Sequence, residues 1–283
     1  MKICMIGTGY VGLVSGTCFS DLGNKVVCVD KDKNKIEILN SGKSPIYEPG
    51  LSELIKKNFK AGRLLFTTNI SKAVNNSDLI FICVGTPNKN RSNSVDLKFV
   101  YQAIKDLVKS TNKKKIIITK STVPVGTGDE IDLILKRMKK KNFEVISNPE
   151  FLREGEAIRD FRYPDRIIVG SNNKTVFKTM KKLYQPLINK GAQFFTTSRR
   201  GSELIKYASN AFLATKITYI NELSNLCEKS KINIEDIREF VNICNELSNL
   251  CEKSKINIED IALGMGSDDR IGSRFLRAGP AYG

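Results

Sequence analysis

Gly7-Thr8-Gly9-Tyr10-Val11-Gly12 follows the apolar run Ile3-Cys4-Met5-Ile6 and opens an apolar-periodic segment from Val11 to Leu22. The order reads strand, tight turn, helix. The glycines of such a turn serve separate ends. Gly7 reverses the chain, Gly9 lets backbone approach a pyrophosphate, and Gly12 lets helix pack close on strand. The free N–H groups and positive dipole end of the helix then face the phosphates. A second apolar run, Lys25 to Val29, ends in Asp30, about 20 residues downstream, where a carboxylate can take both ribose hydroxyls. These features predict dinucleotide binding. Asp30 would repel a 2′-phosphate and so favours NAD over NADP, a preference that Lys31, Lys33 and Lys35 soften without reversing.

Outward from that turn, short apolar runs alternate with helical patterns. Strands are expected at Ile3 to Ile6, Val26 to Val29, Leu64 to Thr67, Leu79 to Val84, Ile116 to Thr119, Glu144 to Ile146, Ile167 to Val169 and Gln193 to Phe195. Helices are expected around residues 11–22, 31–40, 51–60, 96–109, 126–137 and 172–183. The alternation predicts an α/β fold, a Rossmann-like and mostly parallel sheet with helices on both faces, and ligands at the carboxyl ends of its strands. From Ser202 the strand signals stop and the chain reads as helix almost to Ser267. We therefore divide it into a Rossmann-like domain over 1–200 and a helical segment over 201–283.

The helical segment holds an identical repeat: residues 221–237 recur unchanged as 245–261, a shift of 24. Such a shift turns a continuous helix by about 240° net, so both copies could not present one face. Asn233 and Asn257 can each cap a new helix. An added helical hairpin is expected, with one copy displaced. Two perfect copies point to a recent tandem duplication, or to a sequencing or assembly artefact, rather than a solenoid.

Composition narrows the chemistry. The 46 basic residues against 30 acidic ones give a net charge of +16 over 283 residues. There is no long basic run and no nucleic-acid motif, so the charge suits anionic small molecules better than nucleic acid. Histidine is absent, which leaves carboxylates, lysine, cysteine or water to move protons and argues against a metal site. Seven cysteines, at 4, 18, 28, 83, 227, 244 and 251, form no C-x-x-C pair and read as small core residues of a reducing compartment. No run approaches membrane-spanning length, and a soluble cytoplasmic protein is expected.

Further chemistry gathers at expected strand ends. Val84-Gly85-Thr86-Pro87 and Lys120-Ser121-Thr122-Val123-Pro124 place hydroxyls and amides where a nicotinamide ribose would lie, although loops also begin this way. Asn148-Pro149-Glu150-Phe151-Leu152-Arg153-Glu154-Gly155 brings carboxylates and an arginine past a strand, suited to substrate or to a capped helix start. Glu203, Lys206 and Asn210 share a helix face, either as a surface pair or with Lys206 and Asn210 aimed at an oxyanion.

Together with Glu48-Pro49-Gly50-Leu51 and Pro164-Asp165-Arg166, these segments resemble, in order and over essentially the whole chain, the UDP-glucose/GDP-mannose dehydrogenase family. The likeness is to its UDP-glucose-oxidising branch. The resemblance implies oxidation of C6 of UDP-glucose to the carboxylate of UDP-glucuronate, with two NAD⁺ and a cysteine nucleophile. It assigns Gly7, Gly9, Tyr10, Val11, Gly12, Asp30, Lys35, Thr86, Thr122 and Glu154 to NAD. Glu150, Phe151, Leu152, Arg153 and Glu154 line the sugar site. Thr122 and Glu154 act on water, and Lys206 and Asn210 stabilise the oxyanion. Phe275, Leu276, Arg277, Ala278, Gly279 and Gly283 hold the nucleotide sugar, and the helical segment forms a homodimer.

The family pattern continues past a glycine-rich turn into a cysteine-bearing segment, which the sequence stops short of at Gly283; Ala281 stands where the family usually has glycine. None of the seven cysteines can replace that nucleophile, Cys83 being in an expected strand. The expectation is an NAD-binding chain without turnover to the acid by itself, either a silent copy or half of a split enzyme. UDP-N-acetyl-mannosamine or GDP-mannose are the other candidate substrates.

Overall fold

The computed structural model describes residues 1–89 and 94–230, together with 264, 265, 267, 268 and 271. The chain divides into two compact units, Met1–Glu203 and Leu204–Gly283.

The first unit is built on one eight-stranded sheet: β1 (Lys2–Ile6), β2 (Lys25–Val29), β3 (Leu64–Thr67), β4 (Leu79–Ile82), β5 (Lys115–Thr119), β6 (Phe143–Ser147), β7 (Arg166–Gly170) and β8 (Gln193–Thr197). Their order is β3-β2-β1-β4-β5-β6-β7-β8. Around them lie α1 (Tyr10–Asp21), α2 (Lys33–Asn40), α3 (Leu51–Lys60), α4 (Ile70–Asn75), α5 (Lys98–Ser110), α6 (Thr127–Arg137), α7 (Ala157–Arg162) and α8 (Thr175–Ile188); α9 (Arg199–Ser230) begins in this unit. The α/β Rossmann-like reading holds, and all eight expected strands form.

Strand side chains alternate between two cores. Ile3 and Met5 of β1 and Phe81 of β4 pack into one face with Leu13, Phe19, Ile55, Phe161 and Leu183. Cys4 and Ile6 of β1 and Ile80 and Ile82 of β4 pack into the other with Val100, Ile104, Leu107, Ile131 and Leu135. Burial on both faces is why these strands read as continuous Val/Ile/Leu runs.

Two expectations need correction, and the mostly parallel sheet holds a detail that periodicity did not show. The fourth strand ends at Ile82 rather than Val84: Cys83 and Val84 leave the ladder to run beneath the glycine-rich turn. Two helices of six residues, α4 and α7, went unread because each shows under two turns of periodicity. The sheet also has one reversal, β7 meeting β6 antiparallel through the single pair Ser147–Gly170. The connection between them spends its length on the irregular 148–156 loop and on α7. Six helical residues reach about 9 Å, too short to carry the chain back along a five-residue strand, about 16 Å long.

In the second unit α9 runs to Ser230, carrying the opening of the first repeat copy without a break. The expected hairpin and the caps at Asn233 and Asn257 lie outside the described residues. Among the described residues no helix is long and apolar enough to cross a membrane.

Candidate functional site

The turn between β1 and α1 shows what its glycines do. Gly7 has φ of 101°, and a Cβ there would lie 2.6 Å from the Cys83 carbonyl oxygen. A Cβ on Gly12 would meet the Gly7 carbonyl oxygen at 2.0 Å and the Cys83 Cβ at 3.0 Å. The α1 N-terminus therefore sits directly on the end of β4. Gly9, at the N-cap, faces open space: a Cβ there finds no atom within 4 Å. An α-helix N-terminus with its first amides open and a glycine clearing the approach fits a pyrophosphate.

At the end of β2, Asp30 is half-buried. One of its oxygens accepts the Thr8 amide at 2.8 Å and the Thr8 hydroxyl at 2.6 Å; the other accepts the Asp32 amide at 3.1 Å. Burial pushes its carboxyl up, but those donors and the Lys35 charge outweigh it and hold the group below the usual carboxylate value. Lys35 itself is half-buried in the first turn of α2, which Asp32 caps through the Lys35 amide.

On the other side of the turn, the Thr86 hydroxyl donates to the Thr122 carbonyl at 3.0 Å. The Ser121 hydroxyl donates to the Val84 carbonyl at 2.7 Å. The ends of β4 and β5 are thus stitched together beside α1. Next in the sheet, the loop after β6 folds on itself. Glu150 accepts the Leu152 amide at 2.6 Å, and Arg153 is held by Asp160 through its amide and guanidinium. The Arg166 guanidinium lies over the Phe151 ring at 4.0 Å. Glu154 is exposed; the Tyr10 phenol is pushed up by burial first, then by Glu48, with the Glu154 charge adding to both.

One buried carboxylate had no role in the sequence reading. Glu48, from the Glu48-Pro49-Gly50-Leu51 segment, is 6% exposed. It accepts the Tyr10 hydroxyl and the amides of Gly155 and Ile158, capping α7 from 110 residues away. Its only sequence signal was its place in a shared motif.

Burial pushes the thiols of Cys4, Cys18, Cys28 and Cys83 up, Cys83 to about 12. None of the four is a ready nucleophile. Glu203 is also buried and accepts the Gly126 and Gly128 amides at the start of α6 at 2.7 and 2.9 Å. It therefore serves the fold of the 120–128 loop and is not in a surface pair. In the second unit Lys206 is buried and Asn210 exposed. Phe275, Leu276, Arg277, Ala278, Gly279 and Gly283 lie outside the described residues.

The NAD binding domain profile of the UDP-glucose/GDP-mannose dehydrogenase family matches residues 1–188. The family's central-domain profile matches twice, over 200–243 and 240–283, as the duplicated segment requires. A UDP-glucose 6-dehydrogenase of Rhizobium meliloti is 48% identical over all of this chain and 60% of its own length. The chain thus spans about three-fifths of that relative. Among solved structures, a GDP-mannose dehydrogenase from Pseudomonas aeruginosa has a TM-score of 0.79 and 29% identity, covering 96% of this chain and 69% of its own. A UDP-glucose dehydrogenase from Pyrobaculum islandicum has a TM-score of 0.79 and 32% identity, covering 92% and 58%.

Proposed function

The chain belongs to the UDP-glucose/GDP-mannose dehydrogenase family and carries its NAD binding domain, and from that premise we propose that it serves NAD-dependent oxidation of UDP-glucose at C6. One observation supports this most. The sheet order β2-β1-β4-β5-β6 lines up, along one edge, Asp30, the glycine-rich turn, Thr86, Thr122 and the 150–155 loop. The strand order reverses its direction between β1 and β4, which is where such sheets bind dinucleotides.

In this reading Asp30 and Lys35 hold the adenosine ribose. The amides of Tyr10 and Val11, with Gly7, Gly9 and Gly12 clearing the way, take the pyrophosphate. Thr86 and Thr122 face the nicotinamide ribose. NAD⁺, when bound, accepts the hydride that leaves C6 of the sugar. Glu150 to Glu154 receive the sugar next to that ring, with Thr122 and Glu154 orienting water. Only the family resemblance gives Lys206 and Asn210 the negative charge on the C6 oxygen, and Phe275 to Gly279 with Gly283 the nucleotide. The helical segment pairs two copies.

Calorimetric titration of the folded protein with NAD⁺ and NADP⁺ tests the premise, and NADH formation on adding UDP-glucose, GDP-mannose or UDP-N-acetyl-mannosamine tests the sugar. NAD⁺ binding preferred over NADP⁺ is expected, with UDP-glucose as the sugar behind any reduction. A folded protein that takes up neither dinucleotide refutes the reading.

A further inference from the structure

Buried carboxylates persist where donors satisfy them. Those of Glu48 come from two separate parts of the site. Tyr10 is the first residue of α1, directly after Gly9, so its backbone lies where a pyrophosphate would rest. Gly155 follows Glu154 and closes the loop that carries Glu150 to Glu154. Glu48 joins them: it takes the Tyr10 hydroxyl and the Gly155 amide on the same oxygen, the latter at 2.9 Å, and the Ile158 amide on the other at 3.3 Å. The Gly155 amide also donates to the Tyr10 hydroxyl oxygen at 2.9 Å, and that hydroxyl lies 3.4 Å from the Arg153 carbonyl oxygen.

We propose that Glu48 is a positioning residue that couples the two halves of the site, so that a dinucleotide fixing the first turn of α1 fixes the 150–155 loop through Tyr10. This rests on the dinucleotide reading above. Two features make the link directional. The phenol stays protonated, because burial and the Glu48 carboxylate push it well above its ordinary value, so Tyr10 remains the donor. The α7 start lacks a cap of its own, since Glu156, at the N-cap, makes no side-chain cap hydrogen bond. Glu48 supplies the acceptor that the helix start needs.

The test is amide hydrogen exchange at Gly155 and Ile158, with and without NAD⁺, in the wild-type chain and in the variants Tyr10→Phe and Glu48→Gln. The Lys72 amide, capped independently by Asn69, is the control. In wild type, NAD⁺ should slow exchange at Gly155 and Ile158 severalfold while Lys72 does not change. The Gly155 amide loses its second acceptor in Tyr10→Phe and the charge on its first in Glu48→Gln, so its exchange should speed up severalfold in either variant. Tyr10→Phe, saturated with NAD⁺, should show no NAD⁺-dependent slowing at Gly155, a response that a purely structural role of the hydroxyl would not remove.

Wild type that binds NAD⁺ without any change at Gly155 overturns the coupling. So does Tyr10→Phe with the full response, or, should that variant not fold, Glu48→Gln with the full response. Failure of wild type to bind NAD⁺ at all overturns the dinucleotide reading, and the coupling with it.

Discussion

Asp30 and Thr8 are joined twice, amide and hydroxyl of the threonine meeting a single carboxylate oxygen at 2.8 and 2.6 Å. The acid proposed to select the ribose is therefore also the strut that holds the glycine-rich turn. Asp30→Ala should lower NAD⁺ affinity roughly tenfold or more, the size of a charge-assisted hydrogen bond, and narrow the NAD⁺ over NADP⁺ preference. Because its carboxyl is held low in the folded protein, its contribution is present above the unfolded value near 3.8 and is lost only as pH falls below it. Parallel titrations with both dinucleotides check this; an unchanged ratio contradicts the role given to Asp30.

Gly9 and Gly12 should separate binding from folding. A methyl on Gly9 meets nothing within 4 Å, and its φ of −68° suits any residue. Gly9→Ala should melt like wild type yet bind NAD⁺ at least roughly tenfold more weakly, because the methyl occupies the approach to the pyrophosphate. Gly12→Ala drives its methyl to 2.0 Å from the Gly7 carbonyl oxygen. It should cost at least about 2 kcal/mol of stability, as overpacking against backbone does. Thermal melts and titrations of both variants decide; equal melting temperatures would show that the α1–β4 contact can relax.

What the sequence made legible follows from range. β1, β2, β4 and β5 are buried on both faces, so their apolar runs stand out without any knowledge of neighbours, and Gly7, Gly9 and Gly12 carry their spacing within six residues. The reversal at β7 depends on how far α7 can reach, which periodicity cannot show over six residues. That Asp160 and the Leu152 amide hold Arg153 and Glu150 in place is a local geometry that composition does not encode. Glu48 was the hardest to see. Its partners lie 38 and 107 residues away, and a carboxylate before Pro-Gly reads as a turn residue until the fold buries it.

Asn148 closes the reversed edge of the sheet. Its side-chain amide donates to the Ile168 carbonyl at 2.8 Å and its oxygen accepts the buried Tyr184 hydroxyl at 2.6 Å. Asn148→Ala strands both partners, and should cost about 2–4 kcal/mol. Tyr184→Phe should cost about 1 kcal/mol. In the double variant the phenol is no longer left unsatisfied, so the total should fall short of the sum. Urea unfolding of the four proteins measures the coupling, and strict additivity would mean that the two side chains act separately.

Glu203 should give the protein a pH signature near neutrality. Burial pushes its carboxyl from 4.5 up to about 7, against the pull of the Gly126 and Gly128 amides and of Arg199. A folded value above the unfolded one means that folding takes up a proton between them, so the associated stability is full below about 4.5 and is lost as pH rises through 7. At about 1.4 kcal/mol per pH unit the loss is of the order of 3 kcal/mol. Glu203→Gln cannot ionise and keeps an oxygen for one of the two amides. The wild type's stability relative to Glu203→Gln should therefore decline from pH 4.5 to 7 and level off above. Arg199 and Asp129 titrate outside that interval. Burial opposes the charge on each, yet Arg199 is raised by its aspartates and Asp129 is held low by its arginines. The difference between the two proteins thus isolates one carboxyl. Chemical denaturation across that range measures it, and a difference that stays flat or grows with pH would show the two amides, and not burial, in control of the charge.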